Sequence, residues 1–217
     1  MRKVKISPSI FAADFLRLGE IIKLLEDVQV DYIHYDVMDN HFVPNISFGP
    51  LVIETISSNT KIPGDVHLMI DLSKEKLKRF FLKNVEFITL HLEAEGFSKD
   101  LLNLIKKQGY KPGISIKPNT PSHYIEDYLD IVDLILVMTV EPGFSGQKII
   151  HSAIDKISEV KKLVLSFGRD IPIEVDGGVN TDNIRLVVDK GADIIVMGSF
   201  FFKDDNFKKV IDVVSKL

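Results

Sequence analysis

His34, Asp36 and Met38 alternate with Ile33, Tyr35 and Val37 in a stretch dominated by aromatic and β-branched residues, the composition of a β-strand. Alternation puts the first three on one face, about 7 Å between successive members. An imidazole and a carboxylate on a buried face are costly unless something compensates them. Similar groups recur at the ends of other apolar runs: His67, the pair His91 and Glu93, and Asp176. Imidazole and carboxylate are the ligands that catalytic zinc, iron, manganese or cobalt accept. The chain has no cysteine, so any metal must rest on these groups. One reading is a four-ligand set of His34, Asp36, His67 and Asp176. The other is a collection of hydrogen-bonded His–Asp pairs with a structural role.

A second group of residues suits an anion. Gly143 and Gly146, Gly177-Gly178 and Gly198-Ser199 follow three successive apolar runs. Glycine lets backbone N–H groups approach a phosphate closely, and helix N-termini add a favourable dipole. Tight turns between elements use glycine equally well, but three consecutive glycine-bearing loops favour phosphate. Met38, Met69 and Met138 end three of the runs; they are core filler, or together a polarizable, water-poor wall for a site.

The elements that must position these groups alternate from end to end. Strands are expected at 4–10, 32–39, 65–70, 87–93, 113–117, 134–140, 173–176 and 194–197. Between them lie helical patterns, with Asp14, Ser73 and either Asn180 or Thr181 as N-caps, proline early in a helix at 50–57, and a long helix at about 152–166. A last helix closes the chain. Eight β–α units without a linker or low-complexity break imply a parallel sheet with right-handed crossovers. In 217 residues that pattern fits an α/β fold of the (β/α)8 TIM barrel type, one domain over residues 1–217. A doubly wound open sheet is the alternative, without a Gly-x-Gly-x-x-Gly fingerprint after the first strand. Barrel enzymes carry their site at the C-terminal strand ends, where the residues named above fall.

Composition narrows the partners. At 45% hydrophobic residues the chain is globular. A net charge of −4 argues against a nucleic-acid surface. No apolar run approaches the roughly 18 residues of a membrane span, and no apolar segment of a signal peptide follows the basic start. A cytoplasmic protein, paired with copies of itself, is expected.

Taken together, Ser7-Pro8-Ser9-Ile10, His34-Tyr35-Asp36-Val37-Met38-Asp39, Phe42-Val43-Pro44-Asn45, Asp65-Val66-His67-Leu68-Met69, Met138-Thr139-Val140-Glu141-Pro142-Gly143-Phe144 and Ile173-Glu174-Val175-Asp176-Gly177-Gly178-Val179 resemble the ribulose-phosphate 3-epimerase family. The resemblance implies a barrel enzyme that interconverts D-ribulose 5-phosphate and D-xylulose 5-phosphate at carbon 3 in the pentose phosphate pathway. It implies one divalent metal, zinc first with iron, cobalt and manganese as alternatives, on His34, Asp36, His67 and Asp176. Asp36 and Asp176 match the family's acid–base carboxylates. Ser9, His67, Gly143, Phe144, Ser145, Gly146, Asp176, Gly177, Gly178, Gly198 and Ser199 match its substrate and phosphate contacts. Inverting a carbon beside a carbonyl needs a proton removed from one face and delivered to the other, hence two carboxylates.

Two positions depart from the family pattern. Asn40 stands where glycine is usual, and asparagine is the next most tolerant of a left-handed conformation. Ser145 stands where the loop usually has glycine; it keeps its N–H and adds a hydroxyl, but a need for positive φ there would weaken phosphate binding. Three rivals remain: a sister epimerase acting on D-allulose 6-phosphate, a related decarboxylase or aldolase barrel, and a non-catalytic phosphometabolite-binding barrel. The decarboxylase and aldolase barrels resemble one another in an Asp-x-Lys-x-x-Asp strand, whereas Asp36-Val37-Met38-Asp39 has no lysine between its carboxylates. Lys117 at a strand end is read as a solvated charge.

Overall fold

A computed structural model describes residues 4–204 and 206–217; the basic start, read above as no leader, lies partly outside them. Eight strands run in chain order: β1 Lys5–Pro8, β2 Ile33–Met38, β3 Gly64–Met69, β4 Val85–His91, β5 Lys111–Ile116, β6 Leu134–Met138, β7 Ile173–Asp176 and β8 Ile194–Met197. They form one sheet in the order β1-β8-β7-β6-β5-β4-β3-β2, with every pairing parallel. A bridge from Ser9 to His34 joins the end of β1 to β2 and draws the two edges together. The expected barrel is present.

Helices α1 Leu18–Asp27, α2 Pro50–Ser57, α3 Lys74–Lys78, α4 Lys99–Lys107, α5 His151–Phe167, α6 Ile184–Asp189, α7 Ser199–Phe202 and α8 Asn206–Val214 wrap the sheet, with a 3₁₀ helix Ser122–Tyr128 between β5 and β6. Each turns an apolar stripe inward, as Leu101, Leu102 and Ile105 do on α4. Ser73 caps α3 by accepting from the Lys76 N–H. Asp14 caps as expected, but the turn it caps is 3₁₀, Phe15–Arg17, and α1 begins only at Leu18. Neither Asn180 nor Thr181 is the N-cap of α6. Asn180 instead accepts from Asp182 and Asn183 in the turn before it. The expected last helix is two, α7 and α8.

Two apolar layers sandwich the strands. The larger packs helix stripes against outward residues such as Tyr35, Val66, Leu90 and Val175. Inside the barrel, Tyr32, Phe87, Leu134 and Ile194 plug the N-terminal end, one from each even-numbered strand or its start, as layered barrel interiors are built. Above that plug the inward positions turn polar. Ser7, His34, Asp65, His67, Thr89, His91, Ser115 and Glu174 are all buried. So much buried polarity makes sense only if the groups satisfy one another or a ligand.

Candidate active site

Register brings the chemistry together. In the β2–β3 pairing, His34 stands opposite Asp65, Asp36 opposite His67 and Met38 opposite Met69. Across the barrel mouth, Met138 of β6 stands opposite Asp176 of β7. One oxygen, Asp36 Oδ1, is approached by His34 Nε2 at 3.3 Å and by His67 Nδ1 at 3.2 Å. One ligand atom from each of His34, Asp36, His67 and Asp176 lies within 4.8 Å of the others. His34 Nε2 is buried and makes no well-formed hydrogen bond, its one charged neighbour being that Asp36 oxygen at 3.3 Å, which leaves the nitrogen open to a ligand. The donor set, two imidazoles and two carboxylates, suits a divalent metal of the zinc type.

The rest of the cluster supports these four. Ser9 Oγ donates to Asp36 Oδ2 at 2.5 Å, fixing the oxygen turned away from the histidines. Ser47 Oγ donates to the Asp36 carbonyl at 2.5 Å and accepts from the Met38 N–H at 3.0 Å, which pins the loop after β2 to the strand end. Thr139 performs the same service for β7. Its buried hydroxyl reaches the carbonyls of Asp176 at 3.0 Å and Gly177 at 2.6 Å. Below the metal-type group, His34 Nδ1 lies 2.6 Å from Asp65 Oδ2, and Glu174 on β7 completes a buried acid pair with Asp65.

Electrostatics separates the two central carboxylates. Burial would raise Asp36, but His34 and His67 outweigh it and hold the group well below the usual carboxylate range. Asp176 has no such neighbour in its own pairing: burial, then the Asp36 charge, push it up to about 6. Burial and Asp65 likewise raise Glu174 well above the ordinary range. A protonated Glu174 can donate to Asp65, which answers how two buried acids share one layer. Asp65 and Asp36 in turn hold His34 well above its usual value against the effect of burial.

A cavity of about 290 Å³ opens over this cluster. Every expected site residue lines it except the two histidines, which are fully buried beneath Asp36. Met38, Met69 and Met138 form its apolar floor and are themselves at most 5% exposed. The three glycine loops converge on its other side, where Gly146 faces the Ser199 hydroxyl. Gly177 and Gly178 lie at φ +119° and +69°; a Cβ on Gly178 would stand 2.4 Å from the Ile149 nitrogen. No other residue fits. Asn40 takes φ 61°, so the turn keeps its left-handed form without glycine. Ser145 lies outside the left-handed region, while Gly143 and Gly146 on either side occupy it. The serine is therefore accommodated without strain.

Sequence reasoning missed several participants. Asp65 and Glu174 were visible as carboxylates two residues below His67 and Asp176, on the same inward face. Lys203 and Asn180 also line the cavity, and nothing local in their sequence marks them. Lys117 is not a free charge: its Nζ sits 4.1 Å from the centre of the Phe42 ring, a cation–π contact outside the cavity.

The fold and the site define a (β/α)8 barrel with a two-histidine, two-carboxylate cluster at its C-terminal mouth and glycine loops beside it. Among solved structures, a mutant tryptophan synthase alpha-subunit from Pyrococcus furiosus superposes with a TM-score of 0.71 over 100% of both chains at 14% identity, a likeness of fold alone. Residues 5–202 match the Ribulose-phosphate 3 epimerase family. The chain is 44% identical to the ribulose-phosphate 3-epimerase of Buchnera aphidicola over 100% of this chain and 95% of that one. It is 44% identical to that of Bacillus subtilis over 97% and 98% respectively. The chain belongs to the ribulose-phosphate 3-epimerase family, a family of isomerases.

Proposed function

We propose that the protein interconverts D-ribulose 5-phosphate and D-xylulose 5-phosphate by inverting carbon 3, with the 217 residues acting as one catalytic domain. The observation that carries this reading is the pairing of Asp36 on β2 with Asp176 on β7 in one cavity, their acidities pushed apart. In one direction Asp36, held ionised, takes the carbon-3 proton from one face of the substrate. Asp176, which can hold a proton near neutral pH, returns one to the other face. In the reverse direction the two exchange roles.

His34, Asp36, His67 and Asp176 would hold a divalent cation, which supplies Lewis-acid stabilisation of the negative charge developing on the substrate oxygens. Zinc is proposed, since a compact set of two imidazoles and two carboxylates suits it, with iron, cobalt and manganese as the competitors that metal analysis would distinguish. The methionine floor keeps water from the reacting carbon and strengthens every charge interaction above it. Backbone N–H groups of the loops 143–146, 177–178 and 198–199 take the phosphate, with the Ser145 and Ser199 hydroxyls and Lys203 beside them. Among the described residues no helix is long and apolar enough to cross a membrane; a cytoplasmic enzyme is proposed. Exposed Leu16, Ile46 and Leu51 lie within three residues in sequence of Phe15 or Phe48, whose rings meet, which supports pairing between copies, to be checked by sedimentation.

The test is exchange at carbon 3. Metal-loaded protein in heavy water should place deuterium at carbon 3 of ribulose 5-phosphate and turn it over faster than D-allulose 6-phosphate. Asp36→Asn should lose turnover by orders of magnitude while staying folded. Binding without exchange would leave a metabolite-binding barrel and sink the epimerase reading; faster turnover of the six-carbon substrate would reassign its specificity.

A further inference from the structure

His91 and Glu93 take no part in the chemistry above, yet both are tied to it. His67 has two ring nitrogens. Nδ1 faces Asp36 and the metal-type cluster, and Nε2 lies 2.8 Å from His91 Nε2. His91 Nδ1 lies 3.2 Å from Glu93 Oε2. The other Glu93 oxygen accepts from the Lys117 N–H at 2.8 Å and from the Thr120 hydroxyl. Both histidines are fully buried, and the Phe42 ring lies over His91 at 4.6 Å between centroids, so water does not share these contacts.

Counting protons along this line leaves one arrangement compatible with a metal. Two imidazole nitrogens at 2.8 Å share one hydrogen. A nitrogen that binds a metal must present a bare lone pair, so His67 Nδ1 is unprotonated and its hydrogen sits on Nε2. His91 Nε2 must then accept, which places the hydrogen of His91 on Nδ1. There it meets a Glu93 carboxylate that only accepts. Each atom has one role, and each role requires the next.

We propose that His91, backed by Glu93, is a positioning residue of the metal centre: it accepts the Nε2–H of His67 and so holds His67 in the tautomer whose Nδ1 faces the metal. This rests on the metal reading of the preceding subsection. The two histidine ligands are thereby held in different ways. His34 gives its Nδ1–H directly to the Asp65 carboxylate, leaving Nε2 for the cation. His67 gives its Nε2–H to a neutral imidazole, with the carboxylate one residue removed. Partners of this outer kind orient the ligand ring, and their loss weakens metal binding by about 10- to 100-fold.

Two variants separate the acceptor from its bulk. His91→Phe keeps an aromatic ring and removes the acceptor. His91→Gln keeps an acceptor oxygen near the Nε2 position. Metal-stripped proteins are titrated with zinc against a competing chelator dye, and His67 is read by long-range ¹H–¹⁵N correlation in the metal-free wild type, where no metal dictates which nitrogen carries the proton. The expected results are a Kd raised about 10- to 100-fold in His91→Phe, most of the affinity regained in His91→Gln, and His67 protonated at Nε2. Wild-type affinity in His91→Phe overturns the relay, as does a His91→Gln no tighter than His91→Phe, because packing would then explain the loss. Should His91→Phe fail to fold, the His67 tautomer and the His91→Gln titration still decide. A His67 proton on Nδ1 refutes the relay. Failure of the wild type to take up zinc would instead overturn the metal reading itself, whatever the variants do.

Discussion

Replacing Asp176 with asparagine should make the metal-free protein more stable while abolishing its activity. The carboxyl sits at about 6 against an ordinary 3.8, raised by burial and by the Asp36 charge. Its folded value lies above its unfolded one, so between about pH 4 and pH 6 the folded state holds a proton that the unfolded state has released. Stability therefore falls as pH rises through that window, and the full cost is present above it. A shift of about two units corresponds to about 3 kcal/mol, an upper figure because water reaches this partly exposed side chain. Asparagine has the same shape and no charge, so in chelator at pH 7.5 Asp176→Asn should exceed the wild type by about 1–3 kcal/mol. For a chain of this size that is roughly 2–4 °C in Tm per kcal/mol. At pH 4 the two proteins should coincide. Zinc should reverse the order, because ligand present at 1,000 times Kd stabilises by about 4 kcal/mol and the variant has lost a ligand. Urea unfolding from pH 4 to 8, with chelator and with zinc, measures all of this. A variant no more stable than wild type at pH 7.5 in chelator, or a difference that does not change with pH, would refute the electrostatic account of Asp176.

Three further substitutions test the scaffold around the site. Gly178→Ala forces a Cβ to within 2.4 Å of the Ile149 nitrogen at φ +69°; it should destabilise by at least about 2 kcal/mol and raise KM for the sugar phosphate, read by urea unfolding and steady-state kinetics. Thr139→Val removes the hydroxyl that anchors the Asp176 and Gly177 carbonyls. It should cost about 1–2 kcal/mol and lower kcat more than it changes KM, because the loop that carries Asp176 loosens. Lys156→Met removes an ammonium, 7% exposed, that donates to the carbonyls of Lys117 at 3.0 Å and Pro118 at 2.6 Å and to that of Thr120. Leaving those carbonyls unmatched should lower stability by about 1–3 kcal/mol, with a smaller effect on kcat, since the loop meets the site only through Glu93.

What could be read from the residues depended on how local the signal was. β7, β8 and α2 were legible to the residue, because Gly177 and Gly198 stop the two β-branched runs and Pro50 starts the helix. β1 was overextended: Ile10 looks like a strand residue, but after Ser9 the chain enters a 3₁₀ turn, Ile10–Ala12, that carries Ile10 into the core. His34, Asp36, His67 and Asp176 were legible because a polar residue at a strand end is conspicuous against apolar neighbours. Asp65 and Glu174 were not, although they obey the same alternation. Asp65 stands level with His34 in the β2–β3 register, and what makes the two acids tolerable is that barrel closure brings β7 and β3 to the same lumen. Thr139 and Lys156 act on the backbone of distant loops, a relation no sequence spacing displays. Asn40 and Ser145 were legible as departures, but only φ at each position shows that neither disturbs its loop.

The difference between the two central carboxylates follows from where the imidazoles fall. β2 supplies His34 and Asp36 itself, and the next strand supplies His67 in register with Asp36. That carboxylate is therefore held ionised by two neighbours. β7 supplies Glu174 and Asp176, and no histidine. Its partner β6 offers only Met138 opposite Asp176, so burial and the Asp36 charge there outweigh the opposing pull of His34 and His67 across the mouth. In the proposed reaction, one side of the barrel mouth would then keep the base and the other the proton. A reaction that must remove hydrogen from one face of a carbon and return it to the other needs that asymmetry. Swapping Asp36 with a residue on β7 would not preserve it, because the acidity belongs to the strand neighbours rather than to the carboxylate.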